Sequence, residues 1–271
     1  MGLISSLFGL EIVKVDNNKK IEEEPYENDL DLPMDSQEDI DRMIIKSENY
    51  SYEYNRPKVF ENIEGNYNKW WNDFKKEPSL VVVIGKRRSG KDLTCAVIGE
   101  STAKDKSCLV YMIGNDNEEL PNFIRSVDSI EEVPNDSVVI IGEAGIEANS
   151  RQSMSKSNVG MSKLISVISH KGLFVIVASQ TGKKLDSNLI TECDAIILLE
   201  PSLMMKEMER PVVKRLYKNY ETKIEQYTKE VKGKGVCAIH SKKFKGICRF
   251  RMPSWWSDNI SVSYRDKNVL E

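Results

Sequence analysis

Four side chains in this sequence are of the types, and at the places, that could act together on one anion: Lys91, Asp92, Glu143 and Gln180. Lys91 closes the run Gly85-Lys86-Arg87-Arg88-Ser89-Gly90-Lys91, which has the G-x-x-x-x-G-K spacing of a phosphate-binding loop. Its glycines let the backbone curl until successive N–H groups face the same anion. The helix that opens after the loop, with Asp92 and Leu93 in its first turn, adds its partial positive charge. Residues 85–93 are therefore expected to cradle a nucleoside triphosphate, with Lys91 reaching the outer phosphates as a point charge. Glu143 stands just past an apolar run, where a carboxylate can polarise the water that attacks a γ-phosphate. Gln180 ends a second apolar run, where an amide can hydrogen-bond that phosphate or that water. The competing readings are a helix N-terminal carboxylate answering the dipole for Glu143 and ordinary loop polarity for Gln180.

Two positions depart from the usual pattern. After Gly90-Lys91 the residue is ordinarily Ser or Thr, whose hydroxyl holds magnesium, and here it is Asp92. Thr94 is no substitute, because two residues along a helix is a rotation of about 200°. A carboxylate 4 Å from a phosphate charge is repelled by about 4 kcal/mol at an effective dielectric near 20, unless a cation lies between them. The residue before Glu143, where a magnesium-side Asp is usual, is Gly142. Asp92 is thus expected to supply the carboxylate that Gly142 lacks, so that Mg2+ still meets one Asp, with Glu143 beside it. The alternative is a degenerate site that binds nucleotide and hydrolyses it poorly.

The elements that must position these groups follow from apolar runs. Residues 80–84, 108–113, 138–141, 173–178 and 195–199 read as buried strands. Met161, Leu164, Ile165 and Ile168 fall at helical spacing and are closed by Gly172. Strands alternating with helices imply an α/β fold with a mostly parallel central sheet flanked by helices, and ligands at the carboxyl ends of its strands. Tyr67, Trp70, Trp71 and Phe74 lie at near-helical spacing and either stack on bases or pack on the core edge, with packing preferred.

Charge is segregated. Residues 1–55 carry 14 acidic and 5 basic side chains, and residues 202–252 carry 5 acidic and 14 basic, around a net charge of −3 for all 271 residues. Residues 16–42 read as a disordered acidic linker. Residues 1–13 are apolar, fit the loose M-G-x-x-x-[ST] acylation pattern, and read rather as a docking segment or a frayed end. The basic part predicts a β hairpin over 236–239 and 246–250 edged by Lys232, Lys234, Lys242, Lys243 and Lys245, which could meet DNA phosphates without regard to sequence. Its alternative is a solvated charged face. Three segments follow: 1–55 as N-terminus and linker, 56–200 as the core, and 201–271 as a basic extension that completes it. Cys95, Cys108, Cys193, Cys237 and Cys248 have no C-x-x-C spacing and suggest neither a disulfide framework nor a zinc site. No apolar run approaches the roughly 20 residues that span a bilayer.

The loop at 85–91, the strand ending in Glu143, the Ala178-Ser179-Gln180 ending and the late stretch from Phe244-Lys245-Gly246 to Pro253-Ser254-Trp255-Trp256-Ser257 resemble the HerA/FtsK superfamily of P-loop ATPases, especially Zot-like and viral genome-packaging ATPases. The resemblance covers roughly residues 78–260. It implies a P-loop NTPase fold, ATP and magnesium as cofactors, and a homo-oligomeric ring, hexamer or pentamer, that moves double-stranded DNA. It further implies an arginine supplied by a neighbouring subunit, for which Arg151 is the first candidate and Arg210 the second. Lys156 and Lys163 are further pore candidates, and Trp255 and Trp256 read as packing anchors. The location implied is the cytoplasm of a host cell with virion association, the N-terminus docking on a capsid or membrane vertex. Two other classes stay open: a Zot-like assembly or extrusion ATPase at a membrane, and a nucleotide-binding scaffold with little turnover.

Overall fold

A computed structural model describes residues 57–113, 120–143, 159–257 and 260, with backbone alone for 159–164. Residues 1–55, Arg151 and Lys156 lie outside the described residues, as does the side chain of Lys163.

The apolar runs form strands, and the strands form one nine-stranded sheet in the order β1-β9-β8-β7-β2-β6-β5-β3-β4. Its heart is β2 (Ser79–Ile84), flanked by β6 (Phe174–Ser179) and β7 (Ala195–Leu198), both parallel to it. Beyond β6 come β5 (Val138–Ile141), β3 (Val110–Ile113) and β4 (Ile124–Val127), again all parallel. Every residue of β2, β3, β5, β6 and β7 is buried, as the continuous Val/Ile/Leu runs require of strands covered on both faces. β8 (Val236–Ser241) and β9 (Lys245–Arg249) form the expected hairpin, which adds antiparallel to β7 and is closed at the edge by β1 (Lys58–Glu64).

Helices fill the crossovers. The main ones are α1 (Tyr67–Phe74), α2 (Lys91–Lys106), α3 (Val159–Lys171), α4 (Ser187–Glu192), α5 (Leu203–Met208) and α6 (Pro211–Val231). α1 resolves the aromatic stripe in favour of packing. Trp70 stacks on Phe244 at 5.2 Å between ring centroids, Trp71 meets Phe174 edge-on, and Trp71 donates through Nε1 to Ser101 Oγ at 3.2 Å.

Five of these elements went unread in the sequence, the short helices α4 and α5 among them. β1 and β4 are edge strands with polar residues among the apolar ones, so their runs never stand out. α6 buries Val213, Leu216, Tyr217, Tyr220 and Ile224, a helical stripe interleaved with lysines that draw the eye to charge instead. Among the described residues no helix is long and apolar enough to cross a membrane.

Candidate nucleotide site

The loop is pinned on three sides by the strands around it. Gly85 N–H donates to Ser179 O of β6 at 3.3 Å, Lys86 N–H donates to Glu200 O after β7 at 3.0 Å, and Ser89 O accepts from Gly235 N–H before β8 at 3.3 Å. Lys86 Nζ also pairs with the Glu200 carboxylate. Gly90 begins α2 at φ +97°, a conformation that a side chain would strain, and this is what aims the first turn's free N–H groups into the loop. Lys91 opens the helix at 6% exposure and forms no ion pair with a described residue. Ser89 Oγ is buried and without a hydrogen-bond partner among the described residues, so an anionic oxygen in the loop would satisfy it. Arg87 and Arg88 are exposed, Arg88 in the left-handed region at φ +61°.

On the β5 and β6 side, Glu143 and Gln180 meet. The Glu143 carboxylate accepts from Gln180 N–H at 2.7 Å and from the Gln180 side-chain amide. Both oxygens are thereby oriented, and the strand-end amide and the strand-end acid act as one unit. Asp92 projects toward the same region. It lines a small cavity with Gly142, Cys95, Ile140 and Trp256, so the loop's extra carboxylate and the strand's missing one share a wall. Burial holds the Asp92 carboxyl above its usual range, with the Glu143 charge adding to that effect and Lys91 opposing it. The Thr94 hydroxyl is buried and donates to Gly90 O at 2.9 Å, which leaves it turned into its own helix.

Asp92 and Glu143 suit a divalent cation in one respect: the Glu143 charge, which opposes ionisation of the buried Asp92, would be offset by positive charge between them. Among the described residues, no group of three or more His, Cys, Asp or Glu could hold a metal unaided. Magnesium commonly takes one or two carboxylates and completes its shell with phosphate oxygens and water. Asp92 is the carboxylate on the loop side, while each Glu143 oxygen accepts one bond from Gln180 and keeps a lone pair for water.

Residues after Gln180 are held by a side chain that the sequence did not single out. Glu209, 6% exposed, accepts from Thr181 Oγ1 at 2.7 Å, from Gly182 N–H at 2.9 Å and from Arg210 N–H at 2.8 Å. Arg210 completes the clasp by donating from Nε to Gly182 O at 3.0 Å and from its guanidinium to Leu185 O at 2.6 Å. Its guanidinium is thus engaged within its own subunit, a poor state for an arginine that must enter a neighbour's site. A lone Glu-Arg pair between two helices carries no sequence signal of this role; only the approach of the α5–α6 junction to the β6 end reveals it.

The five lysines do not form one surface. β8 is antiparallel to β7, with Ala238 level with Leu198 and Ser241 level with Ala195. Leu198 in turn is level with Ile84, the last residue before the loop. Lys232 and Lys234 therefore lie at the nucleotide end of the sheet, and Lys242, Lys243 and Lys245 at the opposite end, with β8, about 17 Å long by strand rise, between them. Lys232, Lys234, Lys242 and Lys243 are exposed, whereas Lys245 pairs with Glu64 of β1. Trp255 packs edge-on against Phe123, as an anchor should, but Trp256 reaches the wall of the Asp92 cavity.

No protein-family profile matches the chain, and no curated protein matches it in sequence. Among solved structures it is similar to the genome packaging NTPase B204 from Sulfolobus turreted icosahedral virus 2 in complex with AMP, at 17% identity over 64% of this chain and 98% of that one, with a TM-score of 0.42. It is also similar to the pCW3 conjugation coupling protein TcpA, at 11% identity over 64% and 60% with a TM-score of 0.43. A third similarity is to the N-terminal domain of zonular occludens toxin from Neisseria meningitidis, at 13% identity over 65% and 95% with a TM-score of 0.36.

Proposed function

We propose that the protein is an ATPase that couples hydrolysis to moving duplex DNA, in the manner of a viral genome-packaging motor. The observation that carries the hydrolytic part is the Glu143 carboxylate, oriented by Gln180, at the strand ends beside a phosphate-binding loop whose lysine is buried and forms no ion pair among the described residues. In this reading ATP lies in the loop with its triphosphate against Lys91 and against the N–H groups of residues 87, 88 and 90–92, those of Lys86 and Ser89 being bonded to backbone carbonyls. Glu143 orients and deprotonates the attacking water, and Gln180 keeps the carboxylate aimed while registering loss of the γ-phosphate. Asp92, together with the phosphates, would hold a magnesium ion, which would supply charge neutralisation at the γ-phosphate.

The DNA part rests on the motif resemblance and on the exposed lysines. Lys242 and Lys243 at the β8–β9 turn are the pair assigned to duplex phosphates; Lys245, tied to Glu64, is a weaker contributor. A homo-oligomeric ring, hexameric or pentameric, would place Arg151 of one subunit at the next subunit's nucleotide, and residues 1–55 would dock the ring on a capsid or membrane vertex. A scaffold with little turnover is the second reading, favoured by Gly142 standing where a magnesium-side acid is usual.

The test is ATP turnover with and without duplex DNA over a salt series, for the wild type and for Glu143→Gln. Stimulation by DNA that fades as salt rises is expected, with Glu143→Gln slower by about 10²–10⁴-fold. A slow basal rate indifferent to both DNA and Glu143→Gln would leave the scaffold.

A further inference from the structure

The turn between α6 and β8, residues 232–235, is bound to the phosphate loop itself. Gly235 donates its N–H to Ser89 O at 3.3 Å, and a Cβ built on Gly90 would stand 3.3 Å from Gly235 N and 3.7 Å from Lys234 Cβ. Lys234 thus departs from the backbone beside the residue that precedes Lys91. The turn is held there from behind. Arg249 Nε donates to Lys234 O at 3.0 Å, and Phe250 N–H donates to Gly235 O at 3.3 Å. Gly235 itself sits at φ +86°, with Phe250 O 3.0 Å from where a side chain would begin, so the close approach depends on its being glycine.

The sheet order says which end of a nucleotide this turn would meet. β2 carries the loop, with β6 and then β5 on one side and β7 and then β8 on the other. Glu143 and Gln180 mark the β5–β6 side, where the γ-phosphate must lie if they act on it. A triphosphate running across the loop from that end carries its α-phosphate and ribose toward β7 and β8. There Lys234 is exposed and forms no ion pair with a described residue. It is a long, flexible cation free to swing onto whatever anion the loop holds.

We propose that the 232–235 turn is the nucleoside-side wall of the site, and that Lys234 binds the α-phosphate of the nucleotide held by its own subunit. This rests on the ATPase reading but moves Lys234 out of the DNA-contacting set and gives it a different ligand. The contact is one charge on a part-exposed phosphate, between an exposed ion pair and a buried charge-assisted bond in strength.

Titration calorimetry with AMP, ADP and ATP tests it, on the full chain and on Lys234→Gln, Lys234→Arg and Lys91→Ala. Lys234→Gln should weaken all three nucleotides by the same factor, about fivefold to tenfold, because each carries the α-phosphate. Lys234→Arg should restore most of the affinity. Lys91→Ala should instead weaken ATP and ADP far more than AMP. Unchanged affinities in Lys234→Gln, a loss confined to ATP, or a loss of duplex-DNA binding alone would each overturn the assignment while leaving the ATPase reading in place. A wild type that binds none of the three nucleotides overturns both.

Discussion

Replacing Glu209 with Gln should loosen the loop that carries Gln180, by an amount that can be worked out from its bonds. One carboxylate oxygen accepts from Thr181 Oγ1 and Gly182 N–H, and the other accepts from Arg210 N–H. A glutamine can keep its oxygen toward Thr181 and Gly182, but its amide nitrogen then faces the Arg210 N–H, donor against donor. At 6% exposure water offers little relief. One buried N–H left without an acceptor costs about 1–3 kcal/mol, and two bonds change from charged to neutral acceptors at a further loss of order 0.5–1 kcal/mol each. The total is about 2–5 kcal/mol. For a domain of roughly 200 residues each kcal/mol moves the midpoint by about 2–4 °C, so Tm should fall by about 4–20 °C. Thermal unfolding by circular dichroism reads this directly. ATP turnover measured well below Tm should show kcat falling with KM nearly unchanged, since the phosphate loop is not touched. A fall in Tm of less than about 2 °C would refute the reasoning, because it would mean that the three donors find other acceptors. A large fall in Tm with an unaltered kcat would refute the link from Glu209 to Gln180.

Two further outcomes follow from single residues. Asp92→Ser should lower ATP turnover at limiting magnesium, and Asp92→Ser with Gly142→Asp should recover part of it, because both positions line one cavity; a double variant no better than the single one would remove Asp92 from the magnesium shell. His240, half-buried, has its pKa held below 6.5 by burial and then by Lys245, with its Nδ1 hydrogen-bonded to the Tyr220 hydroxyl at 2.8 Å. A base whose folded pKa is depressed adds stability that is present above its unfolded value and is lost as pH falls through the folded one. The wild type should therefore lose more Tm than His240→Gln between pH 7.5 and pH 5.5, and parallel curves would contradict this.

Much of the site was legible because it is local. The strand, loop and helix around Lys91 are contiguous, and the loop's geometry is dictated by glycines within a few residues. The buried strands were legible for a related reason: a strand covered on both faces has no polar positions to interrupt the run. α6 and the edge strands β1 and β4 were harder to see, since each shows the solvent one face and mixes lysine, glutamate or arginine into its pattern.

By itself the sequence determined that a phosphate loop follows a buried strand, that Glu143 and Gln180 end two others, and that Asp92 stands where a hydroxyl is usual. Only the tertiary structure decided which distant residues adjoin that loop. Register in the sheet put Lys234 beside Gly90 and sent Lys242 and Lys243 to the far end, and the α5–α6 junction brought Glu209 and Arg210 to the residues after Gln180. The physical reason is that side-chain type and spacing report the backbone a few residues away, whereas contact between separate elements depends on strand order, direction and helix placement, which no local pattern encodes.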